Sequence, residues 1–206
     1  MLVIQDIRSR YLKFKQNRYG LSVVFGLPIP NNLSFYIQDI KQTCQLFFPN
    51  CFDWYENEKI HSTLIRCKST SNKIPYDLFE NHPFRNNIKS IKEFEMTTDD
   101  LIISHDGAIR LFFSSNRLPL PIEMDDISKF EKDLNINLRL VQKPWITLAN
   151  MKPIQKKIDC VNNNLSSFSN DFLKQFFSIK VESLNAVYFE DTGYREFKIL
   201  DVIKLL

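Results

Sequence analysis

The sequence lacks any apolar stretch that approaches the roughly 20 residues a membrane-spanning helix requires. Its first segment, MLVIQDIRSRYLKFKQNRYG, breaks its apolar residues with charges before a signal-peptide core can form. Apolar residues make up 44% and charged residues 25%, an ordinary globular balance that excludes a disordered chain. We therefore expect a soluble, cytoplasmic protein that does not contact a membrane.

Cysteine and histidine are scarce, which argues against a disulfide scaffold and a structural metal site. No C-x-x-C pair occurs among the four cysteines, so we expect reduced, mostly buried thiols. These cysteines are Cys44, Cys51, Cys67 and Cys160. The histidines are His61, His82 and His105, and none lies at a metal-ligand spacing from another histidine or from a cysteine. The sequence predicts no zinc site and no cofactor.

The net charge of +3 is too small to establish a polyanionic partner by itself. Within residues 1–20, however, five basic residues stand against Asp6 alone, and apolar residues recur at helical spacing. The pattern predicts a basic amphipathic helix that precedes a single domain over residues 21–206. This arm either touches phosphates or docks on the domain with a solvated basic face, and docking is the favoured role.

The remaining chain shows both strand and helix patterns, and we expect an α+β fold. Strands are expected at 21–28, 59–67, 101–104, 108–113, 137–141 and 145–150, followed by FSIKVESLNAVYFE and YREFKILDVIKLL. Asp106-Gly107 predicts a hairpin between two of these strands, and Asp191-Thr192-Gly193 is expected to join the last two.

Helices are predicted by buried stripes and caps. The first carries its stripe from Leu33 to Phe47, with Asn31 or Asn32 as its cap. A second, capped by Asp125 or Asp126, presents Ile127, Phe130 and Leu134 to the core. Further helices are expected from Pro153 and over DFLKQFF, whereas residues 68–90 predict a long loop or a broken helix.

Two strands carry the most informative residues. His61-Ser62-Thr63-Leu64 lies in the first half of the chain, and Trp145-Ile146-Thr147-Leu148 lies in the second. Side chains alternate between the faces of a strand, so the first and third residues of each motif share a face. Each motif can therefore line a cleft.

These motifs, in the context of IHSTLIRC, DGAIRLFF, PWITLA and VESLNAVYFEDTGYREF, resemble the two-histidine phosphoesterases over roughly residues 21–206. That family includes RNA 2′-5′ ligase-like proteins and cyclic phosphodiesterases. The resemblance implies two pseudo-symmetric lobes, each an antiparallel sheet backed by helices, around a central groove. It also implies that two histidines act as general acid and base on a 2′,3′-cyclic phosphate or a 2′-5′ phosphodiester. Thr or Ser hydroxyls would hold the phosphate, without a metal.

The sequence departs from that family at one position, because Trp145 stands where the second histidine is expected. An indole offers an N–H donor but no titratable proton, and losing a general acid or base typically costs about 10²–10⁴-fold in rate. We therefore expect a degenerate protein that binds a nucleotide or RNA end through His61, Thr63 and Thr147, with weak or no hydrolysis. His105 is the nearest chemical substitute, although it lies beside the predicted turn.

Two other functions remain open. The protein could be an active phosphodiesterase that uses His61 and an unidentified second group, or a non-catalytic scaffold for a protein partner. His61 could also be an ordinary core histidine, and threonine is common in strands. Trp145 either seals the core or stacks a base, a contact worth about 1–3 kcal/mol. Nearby cations could steer phosphate or form a solvated rim: Arg66, Arg110, Lys143 and Lys152.

Overall fold

The computed structural model describes residues 19–67, 73–74, 76–104, 106–152, 177–190 and 197–206. Several sequence predictions lie outside these residues: the basic arm over 1–18, His105, the helices expected over 153–176, and the turn at 191–193. The end of the predicted arm is described, and Tyr19 and Gly20 are extended there rather than helical, because they begin the first strand.

The predicted α+β class is confirmed. Three α-helices occur among the described residues, namely α1 (Asn31–Phe47), α2 (Pro83–Lys89) and α3 (Met124–Leu134). The described strands are β1 (Gly20–Phe25), β2 (Phe52–Trp54), β3 (Ser62–Cys67), β4 (Phe94–Ile103), β5 (Ala108–Ser114), β6 (Leu138–Leu140), β7 (Trp145–Met151), β8 (Ser178–Val181), β9 (Ser183–Phe189) and β10 (Phe197–Lys204). None of the described helices is long and apolar enough to cross a membrane.

The buried stripes of α1 and α3 are confirmed, but both predicted caps are wrong. Pro30 precedes α1 with an extended backbone, and its carbonyl accepts the Ser34 N–H at 2.9 Å. Glu123 holds the corresponding position before α3 without a side-chain cap. The aspartates at 125 and 126 lie inside the first turn, where their negative charges interact favourably with the positive end of the helix dipole.

Residues 68–90 contain a broken helix where they are described. A short 3₁₀ segment (Tyr76–Asn81) leads into α2, which begins at Pro83. His82 caps α2, because its Nδ1 accepts the Phe84 N–H at 3.1 Å, and its Nε2–H donates to Asp133 Oδ2 at 3.1 Å. His82 therefore joins α2 to α3 and has a structural role.

Other strand predictions need correction. β3 begins at Ser62, because a 3₁₀ turn occupies Asn57–Lys59, and β2 was not predicted at all. The stretch FSIKVESLNAVYFE is not one strand, since β8 and β9 are separate strands on either side of Glu182. The predicted hairpin is confirmed between β4 and β5, where Gly107 adopts a φ of 78°.

The sheet runs in the order β10-β9-β1-β3-β7-β5-β4-β8, with β2 also paired to β7 and β6 to β3; every pairing is antiparallel. It curls into a half-barrel. Because only Glu182 separates β8 from β9, the two ends of this order approach each other. The Leu205 N–H donates to the Glu182 carbonyl at 3.0 Å, and the Glu93 N–H donates to the Leu206 carbonyl at 2.9 Å.

The main core lies on the sheet face that the three helices cover. The opposite face carries a smaller buried cluster of Val24, Leu27 and Val187, against which Phe197 packs. The half-exposed residues of β3, β5 and β7 also lie on this second face, by the alternation of buried and half-buried positions along each strand. The fold therefore turns the first and third residues of both sequence motifs away from the main core.

Candidate functional site

The two motifs meet at the centre of the sheet. β3 pairs with β7 through Ser62 opposite Ile146, which are the middle residues of His61-Ser62-Thr63 and Trp145-Ile146-Thr147. Both middle residues are fully buried. Continuing the antiparallel register by one residue in each direction places Thr63 opposite Trp145 and His61 opposite Thr147. Because alternate residues face opposite sides, the outer residues share the face away from the main core.

Strand β5 extends this arrangement on the far side of β7. Arg110 pairs with Thr147, and Phe112 pairs with Trp145. Two cross-strand rows result, which we name by their central residues. The Thr147 row contains Arg110, Thr147 and His61, and the Trp145 row contains Phe112, Trp145 and Thr63.

The ring orientation of His61 is fixed by its own turn. Its Nδ1–H donates to the Lys59 carbonyl at 2.8 Å, so in the neutral ring Nε2 carries the lone pair. Burial lowers the pKa of His61 below its ordinary value, and the hydrogen bond to Lys59 opposes this shift only in part. The imidazole is therefore neutral at pH 7 and can accept a proton at Nε2.

Aromatic and cationic side chains lie close to Trp145. The Arg110 guanidinium carbon lies 5.7 Å from the centre of the indole, and the Phe112 ring centre lies 5.9 Å from it at an interplanar angle of 42°. Lys143 Nζ lies 5.4 Å from the centre of the Phe112 ring. Trp145 is half-buried, so the structure does not enclose it as a core residue. Its role as a base-stacking surface stays a prediction.

Arg110 is held from both sides. Its Nη2 donates to Asp106 Oδ2 at 2.7 Å, while its guanidinium contacts the indole of Trp145. The Asp106 carboxylate also accepts from the Ser104 hydroxyl and, at 3.3 Å, from the Ala108 N–H. Arg110 Nε is buried and has no hydrogen-bond partner among the described residues. The guanidinium is thus fixed in position, with a single hydrogen-bonded partner among these residues.

The other predicted cations are distributed differently. Lys143 forms an ion pair with Asp99 at 2.5 Å and stays beside the Trp145 row. Arg66 is exposed opposite Arg139, three residues beyond Thr63, which corresponds to about 10 Å along the strand.

Lys152 pairs with Asp53 at 3.4 Å, seven residues beyond Trp145 and so about 23 Å along the strand. The fold therefore brings Arg110 and Lys143 beside the motifs, whereas Arg66 and Lys152 lie further along β3 and beyond the end of β7.

Sequence reasoning missed Phe112 and Asp106. The alternation in DGAIRLFF places Arg110 and Phe112 on one face of a strand, which was a usable signal. Their neighbours on β7 could not be inferred, because a bulge shifts the register between Ile109 and Arg110.

In the part of the chain that the structure describes, no three His, Cys, Asp or Glu side chains cluster in a way that could hold a metal ion. Cys44 and Cys51 are buried, as expected, and burial raises the pKa of the Cys44 thiol. The Cys67 side chain and Cys160 lie outside the described residues.

A scan against protein-family models finds no match to this chain, and a search of curated proteins finds none either. Support for a function therefore comes from the geometry of the two rows and from the chemistry of their side chains.

Proposed function

We propose that this chain is a degenerate two-histidine phosphoesterase-like protein. It binds a nucleotide or an RNA end that carries a 2′,3′-cyclic phosphate or a 2′-5′ phosphodiester, and it hydrolyses this ligand weakly or not at all. The observation that carries the proposal is the antiparallel pairing of the two motifs at Ser62 and Ile146. This pairing brings together one imidazole and two threonine hydroxyls, which are the groups that a phosphate site of this type needs.

Two pseudo-symmetric lobes are part of the proposal. The segment β1–α1–β2–β3 and the segment β5–α3–β6–β7 have the same order of elements, and each gives its short strand to the other's motif strand. Individual backbone hydrogen bonds between the two segments are equivalent as well. The Tyr55 N–H donates to the Leu148 carbonyl and the Val141 N–H donates to the Leu64 carbonyl, both at 2.9 Å. Leu64 and Leu148 hold equivalent positions in the two motifs.

The side chains support binding more than turnover. Displacement at phosphorus requires one group to remove a proton from the attacking oxygen and another to protonate the leaving oxygen. His61 can perform one of these steps, whereas Trp145 can perform neither. Thr63 and Thr147 lie on the same face and can each donate a hydroxyl hydrogen bond to a phosphate oxygen. A bound phosphodiester would therefore be held without the second proton transfer.

Ligand-induced stabilisation tests the proposal. A 2′,3′-cyclic nucleotide at 100 times its Kd should stabilise the protein by about 2.7 kcal/mol. For a chain of this size that corresponds to a rise of about 5–11 °C in the melting temperature. The double variant Thr63→Val/Thr147→Val should lose most of this rise.

Thr97→Val provides the control, because Thr97 is also a half-buried strand threonine, located on β4. It should respond as the wild type does. An undiminished ligand response in the double variant, or no response from the wild type to cyclic nucleotide and short RNA alike, would contradict the proposed site.

A further inference from the structure

We infer that Arg110 makes the site selective for a terminal phosphomonoester, such as a nucleoside 2′- or 3′-monophosphate, over the cyclic diester. This inference rests on the proposed function, since it concerns the same two rows of side chains. A cyclic diester carries a single negative charge, whereas a phosphomonoester is largely dianionic above its second pKa near 6.

The Thr147 row provides the geometry. Arg110 lies opposite Thr147 on one side, and the register places His61 opposite Thr147 on the other. Two strand spacings separate Arg110 from His61, which is about 10 Å between Cα atoms. Arg110, held beside Asp106 and the Trp145 indole, and His61 therefore flank the central Thr147 hydroxyl, and we place the phosphate between them. The row thus offers a cation, a hydroxyl and an imidazole to one anion.

Arg110 retains N–H donors for an additional anion beside Asp106. Asp106 is the hydrogen-bonded partner of Arg110 among the described residues, and it takes one of the five guanidinium N–H groups. The same carboxylate accepts from the Ser104 hydroxyl and the Ala108 N–H, so its charge is shared among several donors. A guanidinium keeps its positive charge at all ordinary pH values, unlike the imidazole expected at the second catalytic position.

In this arrangement Trp145, at the position where the second histidine is expected, has a physical role. The guanidinium carbon lies 5.7 Å from the centre of the indole, within cation–π distance, while Nη2 donates to Asp106. The cation is therefore oriented before a ligand binds, and little side-chain entropy is lost on binding. A fixed cation stabilises a bound dianion but cannot relay a proton, which favours retention of a phosphomonoester over cleavage of a diester.

Calorimetric titration of the full chain at pH 7.5 tests this inference with adenosine 3′-monophosphate and adenosine 2′,3′-cyclic monophosphate. The second negative charge of the monoester should strengthen its interaction with Arg110, so the wild type should prefer the monoester about tenfold, which corresponds to about 1.4 kcal/mol. Arg110→Gln should bring the two affinities to within about twofold of each other. Arg139→Gln, which removes the same charge from an exposed position on β6, should leave the preference intact.

Arg110→Lys serves as a second variant if Arg110→Gln does not fold, and it should keep a charge-based preference at reduced strength. Equal affinities in the wild type, a preference for the cyclic diester, or an unchanged preference in Arg110→Gln would overturn the inference. In each of these cases the cyclic ligand still binds, so the proposed function survives. Binding of neither ligand would instead contradict the proposed function itself.

Discussion

The replacement of Trp145 by histidine tests whether position 145 can supply the second proton-transfer group of the proposed site. In the pairing described above, position 145 lies opposite Thr63 and on the same face as His61. A histidine there should supply the missing general acid or base. We expect hydrolysis of a 2′,3′-cyclic nucleotide or a 2′-5′ dinucleotide to rise at least about tenfold, a cautious fraction of the 10²–10⁴ attributed to such groups.

The cost in stability follows from the contacts that the indole makes. The Arg110 contact at 5.7 Å is worth about 0.5–1 kcal/mol, and the Phe112 contact at 5.9 Å about 0.5–1.5 kcal/mol. Together they predict a loss of about 1–2.5 kcal/mol, below the 3–5 kcal/mol typical of a fully buried aromatic residue. For a chain of this length the melting temperature should fall by about 2–10 °C, so the variant should remain folded.

Product formation measured by chromatography, after a melting curve has established folding, provides the assay. Trp145→Phe should remain inactive, because phenylalanine keeps the ring but cannot titrate. Trp54→His makes the same chemical change at a half-buried tryptophan that also has a lysine over its ring, and it should gain no activity. A folded Trp145→His without increased turnover would refute the reasoning, as would wild-type turnover that requires His61 and declines in Trp145→His.

Three further predictions concern stability. Ser62→Ala should raise the melting temperature by about 2–4 °C, because the buried hydroxyl has no hydrogen-bond partner among the described residues; a fall of similar size would contradict this. Burial lowers the pKa of His61, so the unfolded chain takes up a proton at this histidine before the folded chain does, and the free energy of unfolding declines as pH falls below about 6.5. In urea titrations from pH 7.5 to 5, this free energy should decline less steeply for His61→Gln than for the wild type. Equal slopes for the two proteins would count against this prediction. His82→Ala should cost about 1–2 kcal/mol of unfolding free energy through loss of the α2 cap, whereas His82→Asn should restore part of it; equal losses would argue against capping.

Local patterns predicted the elements whose signals lie within a few residues. The stripe on α1 was identified because buried residues recur every three or four positions, and the β4–β5 hairpin because glycine readily adopts the positive φ seen at Gly107. The helix starts were missed because Pro30 and Glu123 begin their helices through extended backbone geometry rather than through a side-chain hydrogen bond. Cap residues in the sequence therefore indicated the helices but not where they begin.

The pairing of distant strands could not be predicted from the two motifs. Alternation placed His61 with Thr63 and Trp145 with Thr147, but no local signal showed that Ser62 would pair with Ile146. The separation of β8 from β9 at Glu182 could not be predicted from the sequence either, because the two strands have the same alternation of side chains and differ only in their partner strands. The interaction of Arg110 with Trp145 depends on the bulge in the β5–β7 pairing, which a single sequence does not specify.

A crystal structure of the protein soaked with a 2′,3′-cyclic nucleotide would test the central claim most directly. We predict a phosphate within hydrogen-bond distance, about 2.6–3.2 Å, of the Thr63 and Thr147 hydroxyls, with His61 Nε2 directed toward it. The nucleotide should remain uncleaved over the soak. A phosphate bound elsewhere on the molecule, with the two rows unoccupied at saturating ligand, would contradict the claim that the paired motifs form the binding site.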